Sequence, residues 1–332
     1  MDIRNTKELT AFASQRLKES PNAQKIVLIY GLIAIGLAAL TTLINYIIGL
    51  QISTLGGLGN MGIRTILSTT QTVLPLVQAM VLLCVDLGYI STMLRIARGQ
   101  YASPNGLRLG FDRFWVLLRV TIITSLIYVS ACFGAMYLAI ILFTLSPLSN
   151  TASEILTPIV NQTTILNTGI VLDDATYNQL VASMTPVFLF CAILCIVLVG
   201  PIFYSYRMVN YILIEKPGTG ALAAMRQSKM MMRGNRLKLL KLDLRLWWYH
   251  AATAAATALC YGDVIAPTLG ITFPWSEDVG YFLFFALYLA AQFAIYYFLR
   301  NQVDVSYALA YDAIKPKEKQ DSGVILGNIF QM

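Results

Sequence analysis

From Ile26 to Leu50 the chain carries no charged side chain, and five further apolar stretches follow. A helix needs about 20 predominantly apolar residues to cross the hydrocarbon core of a bilayer. The later stretches run from about Thr70 to Leu94, Phe114 to Leu145, Pro186 to Ile214, Trp247 to Ile265 and Val279 to Leu299. The fourth contains Gly200-Pro201, where a kink is expected because proline removes a helical hydrogen bond. The fifth is the least apolar. Its Ala251–Ala258 core spaces alanines four apart (Ala251/Ala255 and Ala252/Ala256), which lets neighbouring backbones approach closely.

Composition agrees with this pattern. Hydrophobic residues make up 57% of the chain and charged residues 12%, against about 25% charged in a soluble globular protein. So few charges leave too little polar surface to cover soluble domains of this length. The expected fold class is therefore all-α: a polytopic transmembrane helix bundle of six spans with interfacial amphipathic helices. A cytoplasmic amphipathic N-terminal segment (1–25) precedes the six-span domain (26–314), and a cytoplasmic tail (315–332) follows it.

Charge sets the expected orientation. Of the 24 Lys and Arg residues, all but Arg64 fall on one side of this arrangement. The positive-inside rule then places both termini in the cytoplasm of a cell that carries the protein in its cytoplasmic membrane. The net charge of +7 does not point to nucleic acid, because the cations lie beside apolar runs. They point to anionic lipid headgroups. The longest outer connection, 146–185, is acidic, free of Lys and Arg, and contains the sequon-like Asn161-Gln-Thr163. No cleavable signal peptide is expected, since a polar segment precedes the first apolar run and no small-residue cleavage site follows it.

On the inner side, 219–236 reads as an amphipathic helix. Pro217-Gly218 ends the fourth span, Thr219 is the expected cap, and Arg226, Lys229 and Arg233 form a stripe at three- and four-residue spacing. Gly234-Asn235 breaks the helix. Arg236, Lys238 and Lys241 continue the basic surface towards Arg245 and Trp247-Trp248. A helix of this kind lies in the headgroup plane with its cations on lipid phosphate.

Several short motifs follow in order: Arg98-Gly99 with Leu109-Gly110-Phe111, Tyr211-Ile-Leu-Ile-Glu-Lys-Pro217, Ala224-Met-Arg-Gln-Ser228, Met232-Arg-Gly-Asn-Arg236 and Tyr307-Ala-Leu-Ala-Tyr311. In order and spacing the chain resembles the bacterial membrane family called domain of unknown function 975. That family is distantly similar to the membrane domain of some glycerophosphodiester phosphodiesterases. The resemblance covers roughly Leu87 to Ile314. It implies a multi-pass cytoplasmic-membrane protein and supplies no established chemistry. The chain departs from the family in Leu239–Leu246, where Lys241, Asp243 and Arg245 replace a Phe- and Ser-bearing stretch.

Candidate sites are few. Gly57-Leu-Gly59-Asn-Met-Gly62 spells a dinucleotide fingerprint but lacks the strand-to-helix setting that the chemistry requires, so no cofactor is expected. Cys191 and Cys195 share a helix face without a nearby histidine and read as packing residues rather than metal ligands. His250 is the only histidine and has no carboxylate beside it in sequence. The run Met230-Met-Met232 suits contact with lipid.

Asp86 is the sharper signal. It lies nine residues before Arg95, about 13 Å into the membrane at the helical rise. Arg207 lies equally far before Lys216 and is the expected partner, with Arg119 the shallower alternative. Tyr204, Tyr206, Asn210 and Tyr211 are expected to line the same region. An ionisable group at such depth pairs or faces water. The leading expectation is a protein without catalysis that acts through lipid headgroups or a membrane partner, a second copy of itself included. The alternative is a small transporter or channel with a pathway near Asp86 and Arg207. An enzyme ranks last, since no nucleophile and base are paired in the sequence.

Overall fold

The computed structural model describes residues 5–55, 61–146, 150, 154, 174–262, 265 and 277–315. Every regular element among them is helical. In chain order they are α1 (Thr6–Glu19), α2 (Ala23–Thr54), α3 (Met61–Ala97), a 3-10 segment (Pro104–Arg113), α4 (Phe114–Thr144), α5 (Asp174–Tyr206), α6 (Val209–Glu215), α7 (Ala221–Met231), α8 (Arg236–Arg245), α9 (Trp247–Cys260), α10 (Glu277–Ile295), a π-helical turn (Tyr296–Arg300) and α11 (Asn301–Ile314). They group into two compact units, 1–118 with 208–332 and 119–207.

Five helices are long and apolar enough to cross a membrane: Ala23–Thr54, Met61–Ala97, Pro104–Thr144, Phe188–Glu215 and Val279–Ile314. The expected fifth span departs from this. Its described helix, α9, has 14 residues and rises about 21 Å, short of the roughly 30 Å hydrocarbon core.

In the first unit, the core gathers at one end of the long helices. Helix α3 has 37 residues, about 55 Å of rise, well beyond a bilayer core. All its buried residues lie in its second part, from Cys84 to Ala97. Helices α10 and α11, joined through the π-turn, run 36 residues from Val279 to Ile314. In α11, Val303 and every residue from Val305 to Tyr311 are buried. Around this pair stand α1 through Leu9 and Ala13, α6 through Val209, Ile212 and Leu213, α7 through Ala224 and Met225, and α8 through Leu239 and Leu242. A periodic apolar face on each short helix explains the assembly. We call this end of the unit the headpiece.

The 3-10 segment seals one flank of the headpiece. It lies so close to α3 that a Cβ on Gly88 would overlap the Leu107 carbonyl, and one on Gly110 would overlap the Cys84 carbonyl. The connection carrying Arg108 and Arg113 therefore folds back to the level of Asp86. Glycine is required here for close approach, not for flexibility.

The basic connection after α6 also differs from expectation. Helix α7 begins at Ala221 with Gly220 as its cap and no side-chain cap bond, so Thr219 does not cap it. Arg233 lies beyond the helix end, and Gly234 turns the chain at φ +83°, a region open to glycine.

In the second unit, α4 and α5 bring Tyr128 and Phe203 to 6.2 Å between ring centroids. Leu126, Phe133, Tyr137, Phe188 and Ile196 are exposed apolar residues there, as expected of helix faces that meet lipid rather than water. Helix α5 starts at Asp174, within the stretch read as loop, and passes through Gly200-Pro201 without interruption. The helix ends at Tyr206, and a turn at Arg207-Met208 precedes α6. Asn161 and most of the expected 146–185 connection, Gly57, Gly59 and the tail after Lys315 lie outside the described residues.

Candidate functional site

Two charged clusters tie the headpiece together. The first centres on Arg300, the last residue of the π-turn. A π-turn widens a helix by one residue and often marks a functional position. Here it swings Arg300 over three rings, with its guanidinium 4.5, 5.2 and 5.0 Å from the centroids of Tyr30, Tyr89 and Tyr296. Its Nη1 donates to the Tyr30 hydroxyl at 2.6 Å and its Nη2 to Asp86 Oδ1 at 3.2 Å. Its Nε donates to Asp304 at 3.2 Å, one helical turn on. The Tyr30 hydroxyl in turn donates to Asp86. The Arg300 side chain is only 17% exposed, so its charge is held by rings and carboxylates rather than water. Among the described residues the buried Tyr89 hydroxyl has no hydrogen-bond partner; its ring, not its oxygen, holds Arg300.

Within its own unit Asp86 pairs with Arg300; Arg207 and Arg119, the partners expected from sequence, belong to the other unit. The Arg207 guanidinium stacks over Phe203 at 4.9 Å. Tyr204 and Tyr206 belong to that unit too, whereas Asn210 and Tyr211 lie in the headpiece. Arg300 escapes a hydropathy reading because the sixth apolar run stops at Leu299. The signal that could have found it is the continued apolar periodicity of Val303–Tyr311, which shows that the helix does not stop there.

The second cluster closes the far end of the headpiece. Arg98 donates to Asp312 at 2.9 Å through Nε and 2.6 Å through Nη2, and to Glu215 at 2.8 Å. Lys315 reaches Glu215 at 2.8 Å, and the Tyr311 hydroxyl donates to Glu215 at 2.7 Å. Tyr311 stacks on Tyr211 with centroids 5.1 Å apart. The two-pronged hydrogen bond to Asp312 raises the Arg98 pKa further above its ordinary value, against the opposing effect of burial. Arg113 Nη1 donates to the Leu213 carbonyl at 2.7 Å, fastening α6 to the 3-10 segment. Asp243, part of the stretch that departs from the family pattern, accepts from the Tyr307 hydroxyl of α11.

The predicted lipid-facing cations are distributed along α7, α8 and the turn between them. Arg226, Lys229, Arg233 and Lys241 are exposed, while Arg236 and Lys238 are half-buried. Lys238 Nζ donates to Asn235 at 2.7 Å. Helix α8 is apolar on two sides. Leu239, Leu242 and, just after it, Leu246 are buried, while Leu237, Leu240 and Leu244 point outward beside Lys241 and Arg245. His250 is exposed and lies against Tyr249, with centroids 5.4 Å apart.

Five helices long and apolar enough to cross a membrane, joined to a charged and tightly packed headpiece, place the chain among α-helical membrane proteins. Within that class, it belongs to the family described as Protein of unknown function (DUF975), whose model matches residues 1–317. No curated protein and no solved structure matches the chain.

Proposed function

We propose that this is a six-span protein of the cytoplasmic membrane, with both termini and the headpiece on the cytoplasmic side. In this reading it works without catalysis, by holding anionic lipid headgroups against the headpiece. Tyr30, Asp86, Phe114, Trp247 and Arg300 then mark the inner boundary of the bilayer. Trp and Tyr favour that zone, and it leaves α3 about 34 Å of mostly exposed helix before Cys84, enough to cross. The fifth apolar run, Trp247 to Ile265, to which α9 belongs, supplies the sixth crossing. A reporter fused after the last residue should then signal cytoplasm, as should one at the N-terminus. An external signal from the C-terminal fusion alone would leave five crossings.

The observation that carries the lipid reading is the outward row of α8. Leu237 and Leu244 are 71% and 64% exposed, and Lys241 and Arg245 flank them. A face that alternates bare leucines with cations suits the headgroup zone, where apolar side chains enter the acyl boundary and cations reach phosphate. Replacing Arg226, Lys229, Arg233 and Lys241 together by glutamine should lower the anionic lipid that co-purifies with the protein. Each cation near an anionic surface contributes about 1 kcal/mol. An unchanged ratio of anionic to neutral lipid would sink the reading. Binding of another membrane protein to this row regardless of lipid charge would replace it with a protein partner.

The transport alternative draws less support. The Asp86 carboxylate is engaged by Tyr30 and Arg300, an arrangement suited to fixing helix register.

A further inference from the structure

A separate cavity of about 320 Å³ opens where α8 meets α9, lined by Thr10, Arg245, Leu246, Trp247, Trp248 and Gln302. It brings together three distant parts of the chain: α1, the α8–α9 corner and the start of α11. The hydrogen-bonding groups around it are mostly donors. Among the described residues, the Arg245 guanidinium, the Gln302 side-chain amide and both indole N–H groups have no hydrogen-bond or ion-pair partner. No carboxylate lines the cavity. The nearest acids in sequence are committed elsewhere, Asp243 to Tyr307 and Asp304 to Arg300. The Thr10 hydroxyl gives its proton to the Thr6 and Lys7 carbonyls, both at 3.1 Å, so Thr10 serves as wall rather than donor.

We propose that this cavity is a binding site for one phosphodiester anion, carried on an anionic phospholipid. The inference rests on the membrane placement proposed above and names the ligand and its seat. An arginine fork matches two phosphate oxygens at once, which a lysine cannot do. Indole N–H and carboxamide N–H groups supply further donors without adding charge. Trp247, 66% exposed, lies at the corner where α9 leaves the headpiece, and gives the acyl chains an apolar ring to follow. A volume near 320 Å³ falls at the lower end of small-ligand sites, which start at about 300 Å³.

The test uses the full chain in neutral detergent micelles, titrated with phosphatidylglycerol, with bound lipid counted by native mass spectrometry. One molecule should bind more tightly than the rest. Arg245→Gln should weaken that step about fivefold or more, the worth of one cation near an anionic partner. Arg245→Lys, Trp248→Phe and Gln302→Leu keep the net charge and should also weaken it, whereas Lys18→Gln, a charge loss on exposed α1 surface, should not. If those three charge-neutral variants bind like the parent, attraction is diffuse and the site is refuted while the headpiece reading stands. If the parent binds no phosphatidylglycerol, both fall. If glycerol 3-phosphate in solution displaces the lipid at comparable concentration, the cavity is a site for free phosphate esters and the lipid assignment is overturned.

Discussion

Gly110→Ala should unfold the headpiece, and Gly88→Ala should come close to it. Each added methyl meets a backbone carbonyl, Cys84 in one case and Leu107 in the other, so no rotamer change can make room. The 3-10 segment would have to lift off α3, taking with it the buried Leu107 and the Arg113 bond to Leu213. Overpacking a close contact costs about 1–3 kcal/mol, and loss of the segment's burial adds to it. Differential scanning fluorimetry in detergent should show a fall in midpoint for both variants. Gly134→Ala, at a glycine with open space around it, should leave the midpoint unchanged. Equal midpoints for all three would mean that the segment is not packed against α3.

Arg300→Gln should be the most damaging change of a single side chain. It leaves Asp86 and Asp304 without the cation they share and removes the charge that the three tyrosine rings surround. Removing one member of a fully buried pair typically costs about 3–5 kcal/mol, because a stranded charge remains; with Asp86 39% exposed, the loss falls towards the low end of that range or below it. The second variant, Arg300→Gln with Asp86→Asn, removes one stranded carboxylate and should recover part of the loss in the same assay. If Arg300→Gln melts like the parent, the cluster carries no stability. If the double variant is worse than Arg300→Gln by the full effect of Asp86→Asn alone, the two residues do not interact.

Much of the architecture is legible in the sequence, for a physical reason. Apolar runs as long as Ile26–Leu50, free of charge, and Phe114–Leu145, interrupted by Arg119 alone, admit little besides helix, and α2 and α4 match them with ends shifted by a few residues. The headpiece is less legible because it is apolar too. Most residues of Leu87–Ala97 and Val303–Tyr311 are buried against protein, yet a hydropathy pattern does not distinguish that partner from lipid. The sixth apolar run ends at Leu299, whereas its helix continues to Ile314 and carries Arg300 within it. Asp86 stands out in the sequence as an ionic residue within an apolar run. Its partner was not legible, since matching depth along two helices says nothing about which helices touch. Gly88 and Gly110 carry no sequence mark of close approach either, because it depends on a segment folding back.

The headpiece also sets an order of events during synthesis. Its central helix, α11, is the last of the described helices to leave the ribosome, yet α1, among the first made, packs on it. The ties are correspondingly long: Arg98 to Asp312 spans 214 positions and Arg300 to Tyr30 spans 270. Contacts so distant in sequence form late. Until α11 emerges, the Cys84–Ala97 face of α3 and the apolar sides of α6, α7 and α8 lack the helix that completes their packing. The nascent protein therefore passes through a stage in which its long apolar helices are made and the core of the headpiece is still open, and that open surface is what a chaperone or a protease would meet first.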